Sequence, residues 1–217
     1  MKEKVLLFAG TFDPITSGHI LMLRQCVDCD FFDQIWMLPS GKRTDKTFNV
    51  PDDDRVKLCS LALQEFTGRL KRVKICDYEV RKGVTIDTYF TVRYFQEKYP
   101  EYDFYFFIGS DILPQLFNWP YAEQLVEITN FLIALREGYE IHEEDLAKLK
   151  QYVLLSTLLE LNNRTMVTSH TSSTLVRQQL FEGIDCCDEG TLHPAVMGFI
   201  SENSLYKSKI KASDGDM

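Results

Sequence analysis

Val5-Leu6-Leu7-Phe8-Ala9, running straight into Gly10-Thr11-Phe12-Asp13-Pro14-Ile15-Thr16-Ser17-Gly18-His19, decides the fold of this chain. Residues 5–9 form an unbroken apolar run, as expected of a strand whose two faces are both covered by helices in a parallel sheet. The run stops at Gly10. Apolar residues at helical spacing (Ile20, Leu23, Val27) then predict a helix over 19–29. A loop between a strand and a helix N-terminus aims backbone amides at the point where the helix dipole favours an anion, so 10–19 is a candidate phosphate site. It is not a Walker loop, because no Gly-Lys-Ser/Thr follows. The spacing of Gly10 and Gly18 is also wrong for a dinucleotide fingerprint.

Outward from this loop, residues 34–38 return to strand before Pro39-Ser40-Gly41, completing a β-α-β unit. Residues 52–66 read as a helix, opened by Pro51 and a run of acids at its positive end, and 73–78 as a third strand. A helix is expected over 85–98, an aromatic strand over 102–108, a helix over 119–126 and a strand over 131–135. Residues 143–161 look like one charged helix, 165–167 a short β-branched strand, and 174–182 a helix. This alternation predicts an α/β, Rossmann-like, doubly wound parallel sheet that binds ligands outside the carboxyl ends of its strands. One domain is expected over 1–206, with 207–217 as a polar, frayed tail.

Composition excludes several classes. At 217 residues, with 45% hydrophobic and 26% charged side chains, the chain can bury a core without disulfides or a structural metal. A net charge of -8 argues against a protein that coats nucleic-acid phosphates. Met1-Lys2-Glu3-Lys4 leads into too short an apolar run for a signal peptide, and no stretch suits a membrane, so a cytosolic protein is expected. Cys26 and Cys29 have the spacing of a zinc knuckle, but they continue a helical pattern, so reduced structural thiols are the expected reading.

Gly-Thr-Phe-Asp-Pro followed by Thr16-Ser17-Gly18-His19 resembles the nucleotidylyltransferase superfamily, whose hallmark is His/Thr-x-Gly-His. The chain also carries that superfamily's Ser-Ser-Thr-x-x-Arg, as Ser172-Ser173-Thr174-Leu175-Val176-Arg177. Thr85-Ile86-Asp87-Thr88, Gly109-Ser110-Asp111, Trp119 and Arg136 narrow the resemblance to the nicotinate (or nicotinamide) mononucleotide adenylyltransferases. It runs from about Val5 to Tyr206 and leaves out an insert around 140–163. The implied reaction transfers AMP from ATP, with its Mg²⁺, to the pyridine mononucleotide and releases pyrophosphate. Self-association is common in the family. Neighbouring readings are a phosphopantetheine adenylyltransferase, a cytidylyltransferase or a non-catalytic nucleotide sensor.

The resemblance implies His19 against the ATP phosphates, and it places Thr16 where these enzymes usually carry a second histidine. A hydroxyl there can donate to a phosphate oxygen but carries no charge. It also implies that Lys46, in the basic loop with Lys42 and Arg43, is a mobile cation near the reacting phosphates, and that Trp119 stacks on the pyridine. Arg177, one turn inside a helix opened by Ser172, Ser173 and Thr174, converges with their hydroxyls and amides on one anion. Gly10, Thr11, Phe12 and Gly18 complete the ATP loop, with Thr11 also reaching the mononucleotide. Gly109 and Asp111 end a buried strand where a carboxylate can accept ribose hydroxyls, with Arg136 near the adenosine half. Thr85, Asp87 and Thr88 offer amides and hydroxyls to the pyridine substituent, although helix capping explains the same residues. Arg55, at a helix start, is a further candidate phosphate contact, and Asp13 a candidate to reach Mg²⁺ through water. No protein metal ligand is expected.

Overall fold

The computed structural model of the chain describes residues 2–64, 72–188 and 190–207. Six strands form one parallel sheet in the order β3-β2-β1-β4-β5-β6: β1 Glu3–Gly10, β2 Gln34–Pro39, β3 Val73–Ile75, β4 Tyr102–Gly109, β5 Asn130–Ala134 and β6 Gln151–Leu154. This is the expected doubly wound α/β arrangement. The order runs one way from β1 to β3 and the other way from β4 to β6, so it reverses between β1 and β4, where such sheets open a cleft. Register aligns Gly10 with Pro39 and Gly109 with Ala134, so the strands end along one edge.

Successive residues of the central strands alternate between two cores. Leu6, Phe8, Ile35 and Met37 pack with α1 (Ser17–Asp28), α2 (Asp52–Leu63), α7 (Leu155–Leu161), α8 (Ser173–Phe181) and α9 (Pro194–Glu202). Val5, Leu7, Trp36 and Leu38 pack with α4 (Thr88–Lys98) and α5 (Ala122–Ile128) on the other face. Two-sided burial explains why these strands read as continuous apolar runs.

Several elements differ from the sequence expectation. The strand predicted to Tyr78 ends at Ile75, and Tyr78–Lys82 is a short helix, α3, closed by Gly83 in the left-handed region at φ 65°. Tyr78 spends its ring on stacking against Tyr94 at 4.2 Å rather than on strand pairing. The helix expected from Thr85 starts at Thr88. Around Trp119 a 3₁₀ helix, Leu113–Asn118, gives way to α5, with Trp119 extended between them. The end of the helix predicted to residue 66, and all of the tail except Lys207, lie outside the described residues.

The largest correction concerns 143–161. Glu143–Leu146 is a single turn, α6; Gln151–Leu154 joins the sheet beside β5; and only Leu155–Leu161 is a sustained helix. The supposed insert therefore completes the sheet. Its strand lies on the edge with Gln151 and Tyr152 exposed, so no apolar run announces it. Conversely, 165–167 is no strand. The side-chain amide of Gln25 on α1 takes the place of a strand partner: its Nε2 donates to the Val167 carbonyl at 2.8 Å, and Val167 N donates to its Oε1 at 2.6 Å.

Cys26 on α1 and Cys29 at its C-cap are buried, and burial raises both thiols above the usual range. They are core residues. Among the described residues no helix is long and apolar enough to cross a membrane.

Candidate active site

Strands β1 and β4, which flank the reversal, end on Gly10 and Gly109. A Cβ on Gly10 would lie 2.8 Å from the Phe12 ring, and one on Gly109 would strike the Asp111 carboxylate, so each glycine leaves room for the side chain two residues later. Phe12 itself has φ 49° and is fully buried, edge-on to the His19 ring at 5.2 Å between centroids. Its ring therefore supports His19 and faces no ligand, which leaves the expected ATP contact of Phe12 to its backbone.

Thr16 caps α1, and its backbone N–H donates to His19 Nδ1 at 3.1 Å while its hydroxyl lies 2.8 Å from the same nitrogen. An amide can only donate, so Nδ1 accepts, and the neutral ring carries its proton on Nε2. Burial, then the positive charge of Arg136, lowers the His19 pKa to about 4. The ring is neutral at pH 7 and offers an Nε2–H donor. Thr16 is 2% exposed. Its hydroxyl faces His19 rather than an incoming phosphate, which corrects the expected direct contact to one of orienting the ring.

The segment before α8 closes over the same loop. A Cβ on Gly18 would approach the Thr171 carbonyl to 3.0 Å and Ser169 Oγ to 3.1 Å, so glycine lets the 169–171 backbone sit on the start of α1. Ser172 Oγ caps α8, accepting from Leu175 N at 3.2 Å, and Ser173 Oγ donates to the Pro14 carbonyl at 2.8 Å. The Ser173 hydroxyl, expected to bind phosphate, has thus given its proton to the protein, whereas the capping Ser172 hydroxyl accepts and keeps its proton to donate. Arg177 Nη1 donates to the Asp13 carbonyl at 2.7 Å and Nη2 to Thr174 Oγ1 at 3.2 Å, while its buried Nε–H has no acceptor among the described residues. Ser17 N donates to the Thr191 carbonyl at 3.0 Å, so this first-turn amide of α1 is also taken.

On the β4–β5 side, Arg136 pairs with Asp111, and Ser110 Oγ, accepting from Arg136 N at 2.8 Å, donates to the Tyr139 carbonyl at 2.7 Å. Arg136 thus links the expected adenosine group to His19 through its charge.

Arg55 is corrected outright. It is fully buried, and it donates to the carbonyls of Thr11 and Ser40 and to Asp52 Oδ1, each at 2.6 Å, beneath the Phe48 ring. It braces the ends of β1 and β2 and has no face for a ligand. Asp13 is also unavailable as a water-mediated metal contact: it is 4% exposed and both its oxygens accept protein donors. Neither fact is legible from residue type, and only the place of Asp13 inside the first loop hints at its importance.

The remaining expected residues form a second group. Thr85 is exposed in the loop before α4, Asp87 sits at the N-cap position without making a cap bond, and Thr88 opens the helix. Trp119 is partly buried, edge-on to Phe106. None of these four touches the His19–Arg177 group directly. The partly buried carboxylate of Glu79 links their helix to the end of β2, accepting from Gly41 N and Thr91 Oγ1, and desolvation raises its pKa. Lys46 is exposed on the 42–47 arch, where Arg43 is already paired with Asp45.

The model of the cytidylyltransferase-like family matches residues 7–179. A probable nicotinate-nucleotide adenylyltransferase of Clostridium botulinum is 31% identical over 209 residues, 95% of this chain and 100% of that protein. Another, of a Nitratiruptor species, is 34% identical over 139 residues, 64% of this chain and 76% of that protein. The solved nicotinic acid mononucleotide adenylyltransferase of Plasmodium falciparum complexed with NaAD superposes with a TM-score of 0.82 at 25% identity, covering 94% of this chain and 97% of that one.

Proposed function

This chain belongs to the cytidylyltransferase-like family, with probable nicotinate-nucleotide adenylyltransferases as full-length relatives, and from that premise we infer that it transfers AMP from ATP to nicotinate mononucleotide. A phosphate oxygen of the mononucleotide attacks the α-phosphorus of ATP, the bond from that phosphorus to the β-phosphate oxygen breaks, and pyrophosphate leaves with its electron pair. The attacking phosphate has a second pKa of about 6 and is ionised at neutral pH, so no protein base is needed. Catalysis reduces to holding two anions in line and stabilising the charge that moves to the leaving group.

One observation carries this reading: a neutral, tautomer-locked His19 and the guanidinium of Arg177 are both fastened to the loop at the end of β1, beside the sheet's reversal point. His19 Nε2–H donates to the phosphate oxygens where negative charge grows. The partly exposed Arg177 guanidinium adds positive charge beside the leaving phosphates. Lys46 adds a mobile positive charge, and Asp111 and Arg136 bracket the adenosine. Thr85, Asp87, Thr88 and Trp119 receive the pyridine on the α4 side. Magnesium arrives as part of the ATP complex. Because it keeps several waters, it needs no protein carboxylate cage.

The deciding experiment incubates purified protein with Mg-ATP and either nicotinate or nicotinamide mononucleotide, following pyrophosphate and dinucleotide. Turnover with a higher kcat/KM for the nicotinate form is expected. Absence of pyrophosphate with both would remove the assignment.

A further inference from the structure

Asp13 ties together three segments that are far apart in sequence. Its Oδ1 accepts from the Tyr206 hydroxyl at 2.8 Å, its Oδ2 accepts from Asn49 N at 2.9 Å and Asn49 Nδ2 at 3.0 Å, and its carbonyl accepts from Arg177 Nη1 at 2.7 Å. Tyr206, near the end of the described chain, is 6% exposed and packs in the same core as Val176, Val196 and Ile200. Burial, and then the adjacent Asp13 charge, push its hydroxyl far above the usual tyrosine range. The O–H therefore remains a donor wherever the protein is folded.

The 42–47 arch carrying Lys46 is exposed between two anchors. One is Gly41, whose amide rests on Glu79; the other is Asn49, held by Asp13, next to Phe48 over the Arg55 guanidinium. The carboxylate that Tyr206 and Asn49 share belongs to the residue whose backbone carbonyl holds Arg177, so it sets where that arch ends relative to Arg177. We propose that Tyr206 is a positioning residue for adenylyl transfer: through Asp13 it latches the Lys46 arch to the Arg177 side of the site, so that both cations meet the departing pyrophosphate together. This rests on the adenylyltransferase reading above.

Tyr206→Phe removes one oxygen and keeps the ring in its core. Two readouts are needed on the full chain. In limited trypsin digestion without ligand, cleavage after Lys42, Arg43 and Lys46 should accelerate about tenfold, the population change expected for losing one hydrogen bond to a charged group. Cleavage elsewhere should hold steady. Asn49→Ala, at an exposed position, removes the Nδ2 bond to Asp13 and keeps the backbone one, so it weakens the same anchor from the other side and should accelerate these cleavages by a smaller factor even if the tyrosine variant folds poorly. In steady-state assays Tyr206→Phe should lower kcat by roughly tenfold with little change in KM for ATP, and it should add no further loss in a Lys46→Ala background. A purely structural tyrosine would lower both backgrounds equally, and that additivity overturns the proposal. Unchanged arch cleavage in both latch variants overturns it as well, whatever the turnover. Wild-type protein inert towards ATP and nicotinate mononucleotide instead overturns the activity on which it rests.

Discussion

A backbone amide has no lone pair to offer, so the bond from Thr16 N to His19 Nδ1 leaves a neutral His19 only one tautomer, with its proton on Nε2. With a pKa lowered to about 4 by burial and Arg136, the ring stays neutral where most histidines titrate. Nitrogen chemical shifts of the ligand-free protein should show the Nε2–H form from pH 8 to near pH 4; a ring titrating at 6.5 would contradict the geometry. The acid limb of kcat/KM should then fall near pH 6, from the mononucleotide phosphate, and persist in His19→Ala while kcat drops about 10²- to 10³-fold. Stability follows the same sign. On acidification the unfolded histidine takes its proton first, so stability is lost as pH falls from about 6.5 towards 4, and His19→Gln should flatten that slope in melting scans. His19 and Arg177 could be found from the sequence because their chemistry is carried by local spacing. Arg55 could not: an arginine at a helix start looks the same whether it faces solvent or, as here, is itself buried and braces three oxygens of the protein. Arg55→Ala should cost about 3 kcal/mol in denaturant unfolding, and Arg55→Lys should not restore it, since one ammonium cannot span all three acceptors.

At the scale of elements, legibility followed burial on both faces. β1, β2, β4 and β5 announce themselves as apolar runs, whereas the edge strand β6 does not, and the acids of α6 and the leucines of α7 on either side of it read as one charged helix. The segment 165–167 failed in the opposite way. Its β-branched composition is real, but the groups that satisfy its backbone come from the Gln25 side chain 142 positions away, which no local pattern records. That substitution matters for the site, because 169–171 continues from Val167 onto Gly18. Gln25→Leu keeps the volume of the helix face and leaves two Val167 backbone groups unpaired. It should destabilise the protein by about 2 kcal/mol and speed amide exchange at Val167, with KM for ATP rising as the cover over α1 loosens. Unaltered exchange there would show that another group holds this segment.

For the molecule as a whole, a chain of net charge -8 must bind a polyanion, so the cations that matter have to be gathered locally against an unfavourable background. The sheet order does this by bringing the β1 loop, Arg136 after β5 and Arg177 on α8 to one end of the strands, where α8 returns to the first loop through Ser173 and Arg177. That return is a long-range closure between segments more than 150 residues apart. Motif order implied it; only the contacts reveal that it passes through backbone carbonyls of Asp13 and Pro14. A ligand that bridges such a closure stabilises the fold by linkage. Mg-ATP at 100 times its Kd should therefore add about 2.7 kcal/mol, raising Tm by roughly 5–10 °C. Because the attraction is between charges, the shift should shrink as salt rises from 0.05 to about 0.5 M, where the screening length falls below about 5 Å. Arg177→Ala should lose most of the shift, since it removes both the guanidinium and the tie between α8 and the loop. An equal shift in that variant would mean that the triphosphate is held without α8, and that the two ends of the chain meet for packing alone.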